Sequence, residues 1–474
     1  MTQLSRRGLL TGAVGVGSAA LLGSQWSRLI GADIPGRYDN SLTIAILGTN
    51  QDAAARASLV EAFAAQHPDI PVRLQAVQGA DWADFFAKIL TMVAAGTPPD
   101  VCVVATEGAQ LFAERLAEPL DPYVMRDAAE VKNYFDDVHP SLIEAFMYKG
   151  SLYQMPIDFN AANVYLNTTA MERAGVTYPA SDWTHEDFLA MARTMKASSG
   201  TGFIPFYWTN RLWGGVVPWL YANDTSFLTE KKADGGQWLW QQFYPGQEAS
   251  YSGGYLWEGS NATDPRVAES FEFLRAIVEE GLGTSPAQGG GNELVGQFSG
   301  GSIGMTPAGG YWVEGLSAAG LASQDYDVAY FPKWRSQRHQ FGAAGYAILR
   351  TSKRKDEAWE WVKFCTSEEG MRLAFTKPDT TPTRRSMCDE AFYAAKGPAH
   401  WKVFYDTLDQ HPYPRATAAG RRRDSAHQER PGRGDRPGRR PPRRPGATRR
   451  RPHPSPGGMT CNGNSSSGCF SRPQ

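Results

Sequence analysis

The stretch "DWADFFAKILTMVAAGTPPDVCVVAT", residues 81–106, holds a helix, its stop and a strand in immediate succession. Trp82, Phe85/Phe86, Ile89/Leu90 and Val93 recur at helical spacing and predict one apolar stripe. Gly96 ends that helix, Pro98 prevents its continuation, and Asp100 opens the run "VCVVA". A strand apolar at every position is the kind buried on both faces of a parallel sheet. Upstream, "LTIAIL" (42–47) and "PVRLQAV" (71–77) predict two further strands. Between them a helix is expected, with Leu59, Val60 and Phe63 facing inward and Asn50 or Asp52 as its N-cap. Strand and helix alternate, which is the pattern of an open α/β sheet.

The second half follows the same pattern. Thr184, with an acid three residues on, predicts the start of a helix carrying Phe188, Met191 and Met195. Asp264 and Pro265 start another, with Val267, Phe271, Leu274 and Val278 as its inward stripe and Gly281 as its stop. "SIGMTP", "YDVAYFP" and "YAIL" are late strands, and residues 356–371 form a late helix burying Ala358, Trp361/Val362 and Cys365. A chain of 474 residues has room for two domains with sizeable cores.

The net charge of -1 averages two unlike pieces. Residues 420–474 hold 14 Arg against only Asp424, Glu429 and Asp435, so the rest keeps 34 of the 48 basic and 46 of the 49 acidic side chains. An acidic body argues against nucleic-acid binding, which needs a basic face. At the other end, Arg6 and Arg7 precede an apolar, Gly/Ala-rich run from Gly8 to Gly23. That run is short for a bilayer span, and residues 1–32 read as an export signal similar to the twin-arginine type. The five cysteines have neither metal-site spacing nor the even count of a disulfide framework, although a Cys365–Cys388 bridge after export is one reading. The eight histidines form no metal motif, and the glycine stretches lack the Gly-Lys-Ser/Thr of a phosphate cradle. No cofactor or metal is expected.

Glu107 follows "DVCVVAT" at the carboxyl end of a parallel strand, where open α/β sheets hold ligands. Asn50 and Gln51 occupy the equivalent place after the first strand. Asp158 flanks a later strand, and Tyr311 and Trp312 follow "SIGMTP" directly. Trp208, Trp213, Trp219 and Tyr221 lie in a segment too broken by Gly and Pro to be one helix. Such a cluster can stack on the flat apolar face of a sugar, or simply fill a core.

Together these stretches resemble the carbohydrate-binding branch of the solute-binding proteins of ABC importers, from about Leu42 to Arg385. The resemblance rests on "KILTMVAAGTPPDVCVV", "KGSLYQMPIDFNAANVYLNTTAMERAGV", "GQFSGGSIGMTPAGGYW", "GAAGYAILRTSKRKDEAWEWVKFCTSEEG" and "TPTRRSM", in that order. It implies a two-lobed periplasmic-binding-protein-like α/β fold of type II with the ligand cleft between lobes. Lobe one is expected to combine 40–155 with 303–350, and lobe two 156–302 with 351–419. The resemblance also implies a monomer that closes on a sugar and docks on a membrane permease. Asn50, Gln51, Glu107 and Asp158 are then candidates for sugar hydroxyls, and Trp208, Trp219, Tyr311 and Trp312 for stacking.

Two alternatives remain open on the residues: a secreted glycosidase using Glu107 and Asp158, or a receptor for a non-sugar solute. The likeness fades after "YPRATAAG", where Arg, Pro and Gly follow without apolar periodicity. A shifted reading frame near Ala419 is the expectation for 420–474. Resequencing the gene checks it: a displaced frame is the expected result, and an unbroken frame with this tail in the purified protein refutes it.

Overall fold

The computed structural model describes residues 40–388, 393, 397–410 and 415–416. The export-signal and tail expectations lie outside these residues. The first half runs β1 (Leu42–Leu47), α1 (Asn50–Ala54), α2 (Ala57–Gln66), β2 (Val72–Val77), α3 (Trp82–Ala94), β3 (Val101–Ala105), α4 (Thr106–Arg115), α5 (Ala128–Phe135), β4 (Met155–Ala161) and β5 (Asn163–Asn167). Then come α6 (His185–Ala197), β6 (Ile204–Phe206), α7 (Val217–Ala222), β7 (Leu228–Lys232), α8 (Gln237–Phe243), β8 (Tyr255–Ser260) and α9 (Pro265–Glu279). The main elements end with β9 (Ile303–Ala308), α10 (Trp312–Ala318), β10 (Tyr326–Ala329), β11 (Gln340–Ile348), α11 (Lys355–Thr366), β12 (Thr381–Pro382) and β13 (Arg415–Ala416).

Two sheets organise the molecule. The first has seven strands in the order β12–β4–β11–β3–β1–β2, with β13 alongside β11. Its β1, β2 and β3 are parallel, as the alternating strands and helices require. Asp100 shows why a Pro-Asp step opens β3. Its carboxylate accepts from the Thr43 amide at 3.0 Å and from the Ser352 hydroxyl at 2.6 Å, fixing the strand ends on either side. The second sheet has four strands, in the order β10–β5–β9–β6.

The chain crosses between sheets at Ala162, which alone separates β4 from β5, and again at residues 330–339 between β10 and β11. The sheet pairing draws the lobe boundaries differently from the sequence expectation. β9 and β10 pair with β5 and so build the second lobe, because this strand needs a partner on each edge. β4 stays in the first lobe between β11 and β12. α11 also joins the first lobe, where Trp361 meets Phe63 edge-on at 5.1 Å. Segment 228–260 packs there too: Leu239, Trp240 and Phe243 enter the first-lobe core, and Phe243 stacks on Phe135 at 4.0 Å.

Three local expectations change. The short α1 is capped by Thr49 in a capping box with Asp52, rather than by Asn50 or Asp52. In α3 Met92 is buried and Leu90 exposed, and in α9 Ser270 and Ile277 are buried while Phe271 faces out against Phe227. Each stripe is rotated by about a residue. Cys365 and Cys388 are buried thiols, so no bridge joins them. The Thr184 capping box and the buried face of α11 agree with the sequence pattern.

Phe243→Ala is expected to cost about 3 kcal/mol in urea melts, through the lost Phe135 stack and the cavity left behind. Limited proteolysis should then cut first within 228–260.

Candidate functional site

The cleft is built where the first lobe's strand ends face the second lobe across the two crossings. It encloses a cavity of about 200 Å³. Its floor is Gly342, Ala343 and Ala344 of β11, whose small side chains leave room above the strand. Glu107 enters from the first turn of α4, a position where the helix dipole favours a carboxylate. Asp158 rises from β4, where its carboxylate accepts from the Ala344 amide at 3.1 Å. Trp82, at the first position of α3, closes one side and rests on Phe85 and Phe86 at 5.8 Å each.

The opposite wall comes from the second lobe. Its residues are Arg211, Trp213 and Tyr311. Arg211 donates from Nη2 to the Tyr311 hydroxyl at 2.7 Å and from Nε to Thr209 Oγ1 at 3.0 Å. Its guanidinium lies over the Trp213 ring at 5.0 Å, a cation–π contact that holds both side chains. The Trp213 ring can face the cleft because the chain kinks beside it: Gly214 has φ 72°, a left-handed conformation suited to glycine. Gly342 meets the ring from the other lobe. A Cβ there would sit 2.9 Å from Trp213 Nε1, so only glycine allows this approach. Asn160 links the walls, accepting from the Tyr311 amide at 3.2 Å and donating to Thr380 Oγ1 at 3.0 Å.

Both carboxylates are perturbed upward. Burial raises Glu107, opposed by its own amide, the Thr106 hydroxyl and the charge of Arg211. Burial pushes Asp158 up to about 7, with the nearby Asp379 adding to it and the Ala344 amide opposing.

Of the expected site residues, the structure brings together Glu107, Asp158 and Tyr311. Asn50 and Gln51 are exposed in α1 and do not line the cavity. Trp208, Trp219 and Trp312 are core residues, only 3%, 0% and 1% exposed. Phe188, Phe206, Phe273 and Phe331 surround Trp219, Trp208 stacks on Phe206, and Trp312 donates to the Gly291 carbonyl. No ring of these three can stack on a ligand without unpacking the second lobe. Sequence reasoning missed Trp82, Asn160 and Arg211 as cleft residues, and placed Trp213 in the aromatic cluster without making it a stacking candidate. The sequence signal for two of them was "RLWGG", an Arg and a Trp set against a glycine pair.

A larger groove of about 390 Å³ lies on the first lobe alone, between α2, α5 and α11. Its Lys363 is already paired with Glu130 at 2.6 Å and Asp127 at 3.0 Å. The inter-lobe cavity carries the open recognition chemistry.

Residues 48–372 match the family described as bacterial extracellular solute-binding protein. The chain belongs to that family. This solute-binding protein is 25% identical over 334 residues to a Brucella abortus protein named only as a binding protein, covering 67% of this chain and 69% of the relative. Its fold is similar to that of an ABC substrate-binding protein of Listeria monocytogenes solved with cycloalternan, at a TM-score of 0.60 and 18% identity, over 80% of this chain and 88% of that one. It is also similar to UgpB of Mycobacterium tuberculosis solved with glycerophosphocholine, at a TM-score of 0.59 and 18% identity, over 79% and 87%. These likenesses establish the two-lobed α/β fold.

Two outcomes follow for the solute-binding protein. Gly342→Ala should displace the Trp213 turn, shift tryptophan emission and cost roughly 1–3 kcal/mol in thermal or urea melts. The folded protein holds a proton on Asp158 between the ordinary value of 3.8 and about 7, where the unfolded chain does not. Stability without ligand should therefore fall as pH rises through that window and level off above it. Melts of Asp158→Asn across the same range should show a shallower fall.

Proposed function

We propose that this solute-binding protein is an exported receptor that captures a sugar or oligosaccharide between its lobes and delivers it to an ABC importer permease. The observation that carries this reading is the inter-lobe cavity itself. It combines aromatic faces on both walls with carboxylates and an amide, and aromatic faces suit sugar rings while acceptors suit hydroxyls. Among the described residues no helix is long and apolar enough to cross a membrane, which fits a body that works outside the bilayer with its signal at residues 1–32. Capture works by hinge closure: ligand contacts from both lobes favour the closed state, and the permease reads that state. No covalent chemistry is required.

Tryptophan emission titrated with mono- and oligosaccharides, with glycerophosphocholine as a non-sugar comparison, tests the reading. A saturable response to a sugar is expected, with contraction in X-ray scattering. Silence from every sugar refutes it. Trp213→Ala should weaken the binding about tenfold through lost ring contact.

The meeting of Glu107 and Asp158 in one cavity also fits a glycosidase pair. Release of reducing sugar, lost in Glu107→Gln, would favour that second reading.

A further inference from the structure

The cleft carries more carboxyl groups than cations, which hydroxyl recognition does not ask for. Glu107 and Asp158 face one cavity from different elements. Among the described residues, neither has a Lys, Arg or His nitrogen within 4.0 Å. The Thr106 hydroxyl reaches Glu107 at 3.4 Å, and the Ala344 amide reaches Asp158 at 3.1 Å. Around Asp158 the other charges are Asp379, which adds to the negative field, and Arg56, which opposes it more weakly. Around Glu107 the opposing charge among the described residues is Arg211. That guanidinium is committed to the second-lobe wall by Thr209, Tyr311 and the Trp213 ring. The lining therefore holds two carboxylates and one cation. Closing the lobes over that imbalance leaves Asp158 holding a proton or, where it ionises, buries an uncompensated charge, which is costly.

Resting on the sugar-receptor reading, we propose that the ligand is an amino sugar whose ammonium sits between Glu107 and Asp158 while its ring lies against the Trp82 and Trp213 walls. One ligand cation and Arg211 match the two carboxylates, so the closed cleft carries no net charge. An ammonium donates up to three hydrogen bonds, and the aromatic walls attract a cation. Glu107 takes donors from its own amide and Thr106, and Asp158 from Ala344 and Thr380, and each carboxylate still has lone pairs to offer. A neutral sugar leaves Asp158 its proton and forms no ion pair there, and an acidic sugar adds negative charge. The cavity of about 200 Å³ suits one or two rings better than a long chain.

Isothermal calorimetry near pH 6.5, in two buffers of different ionisation heat, tests this on the full chain. The probes are glucosamine and galactosamine, their N-acetyl forms, and glucose and galactose, each also as the β-1,4 dimer. The amines should bind about tenfold or more tightly than their neutral counterparts. They should release up to about one proton as the ammonium ionises Asp158, and the neutral probes should release none. Glu107→Gln and Asp158→Asn should each shrink the preference, and Asp158→Asn should abolish the proton release. If either variant does not fold, the wild-type preference and proton release decide alone. Equal or tighter binding of a neutral or N-acetylated sugar overturns the inference and leaves the sugar reading standing. Silence from every sugar overturns both.

Discussion

Gln340 is the residue on which the two halves depend. It is fully buried at the start of β11, where the chain has just returned from the second lobe. Its carbonyl accepts from the amide of Ala162 at 2.9 Å, tying the return crossing to the outgoing one. Its side-chain oxygen accepts from the Gly214 amide at 2.9 Å, tying both to the turn that presents Trp213. Two chain crossings and one wall of the cleft thus meet at a single buried residue, the crossings through its main-chain carbonyl and the wall through its side chain. Loss of either partner would leave a buried polar group unsatisfied, which costs more than the hydrogen bond itself is worth.

This seam explains why the recognition groups lie where they do. Glu107 is held at the carboxyl end of β3 and Asp158 on β4, both in the first sheet, and β11 runs between those strands. The second lobe supplies Arg211, Trp213 and Tyr311 as one cross-linked block. A rotation about the crossings would move this block as a unit over the β11 floor. The glycine at 342 sets how closely the block can approach.

The parts of the fold that were legible in the sequence are those set by neighbours in the chain. Gly96, Pro98 and Asp100 specify a stop and a strand opening locally, and the fully apolar run after them specifies a buried strand. The position of Glu107 followed from that strand and was legible for the same reason. Lobe membership was not, because it depends on pairing over long separations: β9 joins β5 across more than a hundred residues. The tryptophans show the same limit. Trp208, Trp213 and Trp219 are equivalent in composition and spacing. Phenylalanines from positions 188 to 331 bury Trp219, while a glycine kink turns Trp213 outward. Trp82 fitted its helix's apolar stripe, and only the position of the helix end at the cleft gives its ring a second role.

The electrostatics of the cleft follow from that same placement. A carboxylate at a strand end of an open sheet is ordinarily wet, and its charge costs little there. Here Trp82, Trp213 and Tyr311 shield the space around Glu107 and Asp158, so burial is the largest influence on both. The aromatic walls that suit a sugar ring are thus the groups that make the acids responsive to what lies between them. Arg211 does not cancel this effect, because its stacking on Trp213 and its hydrogen bond to Tyr311 fix it to the wall. The same three aromatic side chains thus set both the apolar surface of the cleft and the electrostatics of its two acids.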